Sequence, residues 1–85
     1  MLPDDVLAKI QAISSLTQRD IDDLRAVTQE DERASLLQSY VDQSRVPDYG
    51  ILEEIGRILQ TVEPYVSLGE SIVLIAIRLA SAGVL

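Results

Sequence analysis

The stretch SLGESIVLIAIRL, residues 67–79, constrains the fold more than any other part of the chain. Its run from Ile72 to Ile77 is entirely apolar, so a helix there presents apolar side chains in nearly every direction. At ~1.5 Å per residue the stretch from Ser71 to Ile77 reaches about 10 Å, far less than the roughly 30 Å hydrocarbon layer of a bilayer. Glu70 and Arg78 flank it closely. The sequence therefore predicts burial inside protein and no membrane span.

A helix that is apolar all round is normally surrounded by other helices. We therefore expect an all-α fold, a compact bundle of four to five short helices in which the hydrophobic C-terminal helix is central. A second interpretation is compatible with the first. Four short helices cannot cover every side of a fifth, and the uncovered apolar surface would then bind a partner helix or a second copy of the chain.

Start and stop signals divide the rest of the chain into helices. Pro3 suits the first position of a helix, and Thr17 with Asp20 three residues later has the capping-box pattern at the start of the next one. Pro47 and Pro64 interrupt the helical pattern further on. These signals predict a single domain, residues 1–85, with helices at about residues 3–14, 18–27, 28–45, 49–62 and 68–82.

The boundary between the second and third helices rests on one polar segment. The letters QEDER carry no apolar residue, and Thr28 with Asp31 three residues later is a candidate cap. We therefore predict a break near Thr28, and one continuous helix is the alternative. The inner face of the third helix is predicted to be Ala34, Leu37, Tyr40 and Val41.

The fourth helix has the clearest amphipathic pattern in the chain. Asp48 precedes it as a candidate cap, and Glu53 and Arg57 have the spacing of an outward-facing ion pair. Its predicted inner face is Ile51, Leu52, Ile55, Ile58, Leu59 and Val62, which recur at intervals of three and four.

A second capping-box pattern precedes the C-terminal helix. Ser67 is followed by Glu70 three positions later, as in a box whose serine is the cap. We therefore expect the helix to begin at Leu68 and to end near Ala82, with Gly83 as the terminating residue.

The composition removes most kinds of catalysis. The 85 residues include no cysteine and no histidine, which excludes disulfides, thiol nucleophiles, Ser-His catalysis and the usual zinc ligands. Adjacent carboxylates such as Glu53 and Glu54 point about 100° apart on a helix and do not face each other across a substrate. We therefore expect no enzymatic activity and no cofactor. The lack of cysteine and of a signal-peptide pattern favours a cytoplasmic location.

The charge balance restricts the partners. The net charge is −7, Lys9 is the only lysine, and the six arginines are scattered singly among acids. A nucleic-acid binder needs a basic face, and an anionic membrane surface would repel this chain. The letters DIDD lack the alternating ligands, the glycine and the closing glutamate of a calcium loop. The expected partner is another protein or a second copy, with no nucleic acid and no metal.

One acidic segment is a candidate binding surface for a basic partner. Solvated helix faces and favourable charges at helix N-termini account for the same residues, so both interpretations stay open. Arg25 is the one basic residue that opposes the acids in the middle of the segment. The candidate partner-binding residues are Asp20, Asp22, Asp23, Glu30, Asp31 and Glu32.

The letters LGESI resemble a shortened form of the acyl carrier protein motif, in which a serine begins a helix and carries the phosphopantetheine arm. The resemblance implies that Ser71 is the attachment site of an acyl-carrier-like protein. The match covers five residues, Glu70 stands where the motif has aspartate, and fourteen residues follow Ser71. A capping box explains the same letters.

Three functional hypotheses follow from the sequence. The first is a non-enzymatic protein–protein interaction module, an adaptor or assembly domain that uses apolar helix surface, including self-association. The second is a small acidic inhibitor or immunity-type protein that binds a basic protein through the segment from Asp20 to Glu32. The third is the acyl-carrier-like protein.

Overall fold

A computed structural model describes residues 1–82 and shows an all-helical bundle. Its helices are α1 (Asp4–Ile13), α2 (Gln18–Ala26), α3 (Glu30–Asp42), α4 (Tyr49–Leu59) and α5 (Val66–Ala82). The predicted all-α fold is confirmed, and the helix ends differ from the predicted ones by at most three residues. The principal buried residues are Leu2, Ile10, Leu16, Ile21, Leu24, Leu37, Tyr40, Val46, Leu52, Ile55, Leu59, Tyr65, Leu68, Ile72, Ile75 and Ala76.

The start of α2 has the predicted capping box. The Asp20 amide donates to the Thr17 hydroxyl at 3.2 Å, and the Thr17 amide donates to the Asp20 carboxylate at 2.8 Å. Pro3 is the N-cap residue of α1 and not, as the sequence predicts, its first helical residue, so the helix begins at Asp4.

The predicted break between the second and third helices is confirmed, but Thr28 is not the cap. Gln29 occupies that position and makes no capping bond through its side chain. The Arg33 side chain stabilises this corner instead. Its guanidinium donates to the carbonyls of Leu24, at 3.2 Å, and Val27, both at the C-terminal end of α2.

α3 ends at Asp42, three residues before the predicted end, because the backbone reverses there in a Schellman motif. The Ser44 amide donates to the Val41 carbonyl at 3.0 Å, and the Arg45 amide donates to the Tyr40 carbonyl at 2.8 Å. Ser44 has a φ of 60°, the left-handed conformation that this motif requires.

α4 confirms two of its predicted side-chain contacts. The Asp48 carboxylate accepts from the Ile51 amide at 2.8 Å, and the Arg57 guanidinium pairs with Glu53 at 2.8 Å. The buried face is as expected, with Leu52, Ile55 and Leu59 inaccessible to solvent.

The start of α5 differs from the prediction. The helix begins at Val66, and the Gly69 amide donates to the Tyr65 carbonyl at 2.9 Å, so Ser67 lies inside the first turn and is not a cap. Tyr65 is fully buried and fixes where the chain enters the helix. The predicted terminator, Gly83, lies outside the described residues.

α4 and α5 form the closest helix pair in the bundle, and they approach each other at Gly56 and Gly69. This close approach holds α5 firmly against α4. One side of α5 is thereby fixed in the core, which determines which side faces outward.

Candidate protein-interaction surface

α5 supplies more buried residues than any other helix, as its predicted central place implies, but it is not enclosed on every side. The helix is amphipathic in the ordinary sense, because the apolar residues on one side lie in the core. That buried side consists of Leu68, Gly69, Ile72, Val73, Ile75 and Ala76. The expectation that neighbouring helices surround the whole apolar run is therefore wrong for the opposite side.

That opposite side carries two exposed apolar side chains. Leu74 is 66% exposed and Ile77 is 46% exposed, and both belong to the run that the sequence predicts to be buried. Because they are three residues apart on a helix, they are neighbours on its surface. Together they form a small apolar patch at the middle of the outer side of α5.

The patch belongs to a longer row, which we call the α5 stripe: Ser67, Glu70, Leu74, Ile77 and Ser81. All five are exposed. At ~100° per residue they lie within a sector of about 80° around the helix, and at ~1.5 Å per residue they extend about 21 Å along it. The stripe is therefore a narrow seam with an apolar centre and polar ends.

The N-terminal half of α3 borders one side of the stripe. The Arg33 guanidinium donates to the Ser71 hydroxyl at 2.9 Å, and the Arg78 guanidinium pairs with Glu30 at 3.1 Å. Both groups of the Arg78 pair are more than half exposed, so this pair contributes little to stability. Arg78 is available at the edge of the stripe as a charged group next to an apolar centre.

The structure separates Asp20 from the other acidic candidates. Its side chain is only 12% exposed and forms an ion pair with Arg45, which comes from the loop after α3. Arg45 also lies over the Tyr40 ring at 5.1 Å. Asp20 therefore joins the start of α2 to the loop after α3 and is not accessible to a partner.

The electrostatics of Asp20 agree with this structural role. Burial alone would raise the pKa of the Asp20 carboxyl, but the hydrogen bonds from Arg45 and Thr17 outweigh burial and hold that pKa below its usual value of 3.8. These donors therefore keep the Asp20 carboxylate ionised at neutral pH, where it pairs with Arg45.

The remaining five acidic candidates are all exposed: Asp22, Asp23, Glu30, Asp31 and Glu32. Asp22 accepts from the side-chain amide of Gln18 at 2.9 Å, and Glu30, Asp31 and Glu32 form the first turn of α3, where negative charge is favourable. Glu30 brings this acidic surface next to the α5 stripe through Arg78. Their role in binding a basic partner stays a prediction.

Ser71 does not occupy the position that the carrier-protein resemblance implies. It lies five residues after the start of α5, is half-buried, and its hydroxyl accepts from Arg33. In the motif the serine begins a helix and must be reached by the enzyme that modifies it. The hydroxyl of Ser71 instead ties α5 to α3.

A shallow groove of about 330 Å³ lies between α3 and the C-terminal part of α5, away from the stripe. Gln38 within it donates to Asp42 at 2.9 Å and accepts from the Tyr49 hydroxyl at 2.9 Å. The side-chain amide of Gln38 is therefore already used by the fold. It is lined by Ala34, Ser35, Gln38, Ser39, Asp42 and Leu79.

The described part of the chain contains neither a cluster of metal ligands nor a helix able to span a membrane. Across residues 1–82, no three acidic side chains lie close enough together to hold a metal ion. None of the five helices described here is both long enough and apolar enough to cross a membrane.

The apolar run from Ile72 to Ile77 predicts burial and so conceals the stripe, although the sequence carries a signal for it. The positions 67, 70, 74, 77 and 81 are separated by alternating intervals of three and four, and polar residues occupy three of the five. A side of a helix that mixes serine and glutamate with two apolar residues is typical of a surface, not of a core. Comparisons of the chain with protein-family models, with curated proteins and with solved structures gave no match.

Proposed function

We propose that this chain is a non-enzymatic protein–protein interaction module that binds through the α5 stripe. The observation that carries the proposal is the exposure of Leu74 and Ile77 side by side on a helix whose opposite side forms the core. A single exposed apolar residue is ordinary on a protein surface, but adjacent ones on one helix form a patch that a partner can cover.

The rigidity of α5 supports this role. The helix is fixed by the crossing at Gly56 and Gly69 and by the bond between Arg33 and Ser71, so the stripe is held in place before a partner arrives. A surface that is already ordered loses little conformational entropy on binding, and this favours affinity.

The magnitude of the apolar contribution is modest. Full burial of a leucine or isoleucine side chain is worth about 1.5–3 kcal/mol, so covering the exposed part of Leu74 gains about 1–2 kcal/mol and that of Ile77 about 0.7–1.4 kcal/mol. Interfaces commonly have such a small apolar centre, with polar groups at the rim. Glu70 and Arg78 are placed to form that rim, as in an adaptor or assembly domain that binds a helix of its partner.

Site-specific photo-crosslinking in cells tests this proposal. A photoreactive amino acid at position 74 is expected to form covalent adducts with a discrete protein, and adding Ile77→Arg is expected to abolish them. The matched control carries the same amino acid at Ala12, an exposed position on α1. Equal labelling at both positions, or no adduct at position 74, would refute the proposal. The cytoplasmic setting predicted from the composition stays a prediction.

The exposure of five acidic side chains favours a second candidate, an acidic inhibitor-type protein that binds a basic protein. Such binding would be weakened by salt because it depends on charge. Reversing the charges of Asp22, Asp23, Glu30 and Glu32 together should then abolish capture of the basic partner. Capture that persists after this change would eliminate the second candidate.

A further inference from the structure

We propose that the protein that covers the α5 stripe is a second copy of this chain, packed antiparallel about a two-fold axis between Leu74 and Ile77. This inference rests on the proposed function of the stripe and names its partner. In a two-fold pair both copies use the same surface, so the stripe must be complementary to itself.

The spacing of the stripe fits a helix pair. Intervals of three and four residues define the seam along which two helices pack side by side in a coiled coil. The two apolar members, Leu74 and Ile77, lie at its centre, and Ser67 and Ser81 lie at its ends. In an antiparallel pair Leu74 lies opposite the partner's Ile77, so the two apolar patches cover each other.

The charges select the antiparallel orientation. With the axis midway between Leu74 and Ile77, Arg78 and the partner's Glu70 are only about 4.5 Å apart along the helix direction at ~1.5 Å per residue, within reach of an arginine side chain. In a parallel pair, Glu70 would lie directly against the partner's Glu70, and the repulsion of like charges would oppose association. Two equivalent ion pairs therefore form only in the antiparallel arrangement, where each Arg78 exchanges its exposed contact with Glu30 for the partner's Glu70.

The dimer is expected to be weak. Each copy carries a net charge of −7, which opposes self-association, and the apolar centre has two side chains per copy. Such a seam belongs with transient interfaces, which bury less than about 1,200 Å² in total, below the size of standard stable complexes. The pair should therefore be observed at high protein concentration.

Sedimentation equilibrium from about 10 µM to about 1 mM protein, the range in which weak association is measurable, is the first test. The mass should rise from 9.4 kDa towards twice that value. Glu70→Arg and Arg78→Glu should each weaken the dimer by about tenfold or more, and the double exchange should restore it. Glu54→Arg and Arg57→Glu on α4 make the same changes in net charge away from the stripe and should have smaller effects.

Cysteine crosslinking tests the orientation, because the chain contains no cysteine of its own. A mixture of Leu74→Cys and Ile77→Cys chains should form the mixed disulfide faster than either variant links to itself. Faster linking of like variants, or none at all, would overturn the antiparallel arrangement, as would a monomeric mass at every concentration. If position 74 labels only other proteins in cells, the second-copy inference fails while the proposed function stands; if it labels nothing, both fail.

Discussion

Gly69 of α5 lies directly against the backbone of Gly56 on α4. A Cβ atom built on Gly69 would lie 2.5 Å from the Gly56 carbonyl oxygen and 2.5 Å from the Gln60 amide nitrogen. Neither backbone atom can move without displacing its helix. The two glycines therefore permit the crossing that directs Leu74 and Ile77 to the outside.

Gly69→Ala is expected to lower the free energy of unfolding by about 2 kcal/mol, because the overpacked methyl group forces the helices apart and outweighs the ~1 kcal/mol gain in helix propensity. Chemical denaturation measures this. The control is Gly50→Ala, where the added Cβ would meet only the Asp48 side chain at 3.2 Å. Its free energy of unfolding should be unchanged or raised by up to about 1 kcal/mol. Equal losses in both variants would contradict the role of the crossing.

The helices themselves could be predicted from local signals, and their exact ends could not. Thr17 with Asp20 works as a cap as its letters indicate, whereas Ser67 with Glu70 has the same pattern and lies inside α5. The difference is tertiary: the burial of Tyr65 starts the helix earlier than the local pattern does. Thr28 similarly has the pattern of a cap, but Gln29 occupies that position in α3.

The candidate surface was harder to predict because it depends on which neighbour covers which side. The run from Ile72 to Ile77 shows that α5 must bury apolar residues but not that α4 and α3 leave Leu74 and Ile77 outside. Asp20 has two local interpretations, as part of a cap and as part of an acidic surface. Its partner Arg45 is 25 residues away, and spacing alone cannot reveal that ion pair.

The ion pair between Asp20 and Arg45 should make the stability of the fold depend on pH. The pKa of Asp20 is lowered in the folded state because its hydrogen bonds outweigh burial. Its contribution is therefore fully present above the unfolded value of 3.8 and is lost as the pH falls through the lower folded value. Asp20→Asn should lower the free energy of unfolding by about 2 kcal/mol at pH 7.

Thermal unfolding followed between neutral pH and about pH 2.5 checks this prediction, since that range crosses the unfolded value of 3.8 and continues below it. The difference in melting temperature between the wild type and Asp20→Asn should narrow as the pH falls. Asp23→Asn, at an exposed carboxylate on the same helix, should stay within about 0.5 kcal/mol of the wild type. A gap that is constant with pH would show that the charge of Asp20 does not matter.

The bonds of Arg33 to the C-terminal end of α2 should contribute more to stability than its single bond to α5. Arg33→Met keeps the apolar stem but removes the donors to the carbonyls of Leu24 and Val27. It should lower the free energy of unfolding by about 2 kcal/mol. Ser71→Ala removes only the bond to α5 and should cost less than about 1 kcal/mol. Denaturation of both variants and of the double variant measures the two contributions separately, and equal losses would contradict this assignment.

Ser44 is a position where a substitution should stabilise the fold. Its φ of 60° is unfavourable for any residue with a Cβ atom and costs glycine nothing. Ser44→Gly should therefore raise the free energy of unfolding by about 0.5–1 kcal/mol. Ser44→Ala keeps the Cβ atom and should change it little, so a similar gain from both variants would exclude the backbone conformation as the cause.

Methyl NMR tests the central claim, that one side of α5 is core and the other is a binding surface. Selectively labelled protein would be added to an extract of the cells that express it naturally. We predict that the methyl signals of Leu74 and Ile77 shift while those of Leu52 and Ile55 in the core keep their positions. Unchanged signals from Leu74 and Ile77, or equal changes in all four residues, would contradict the claim.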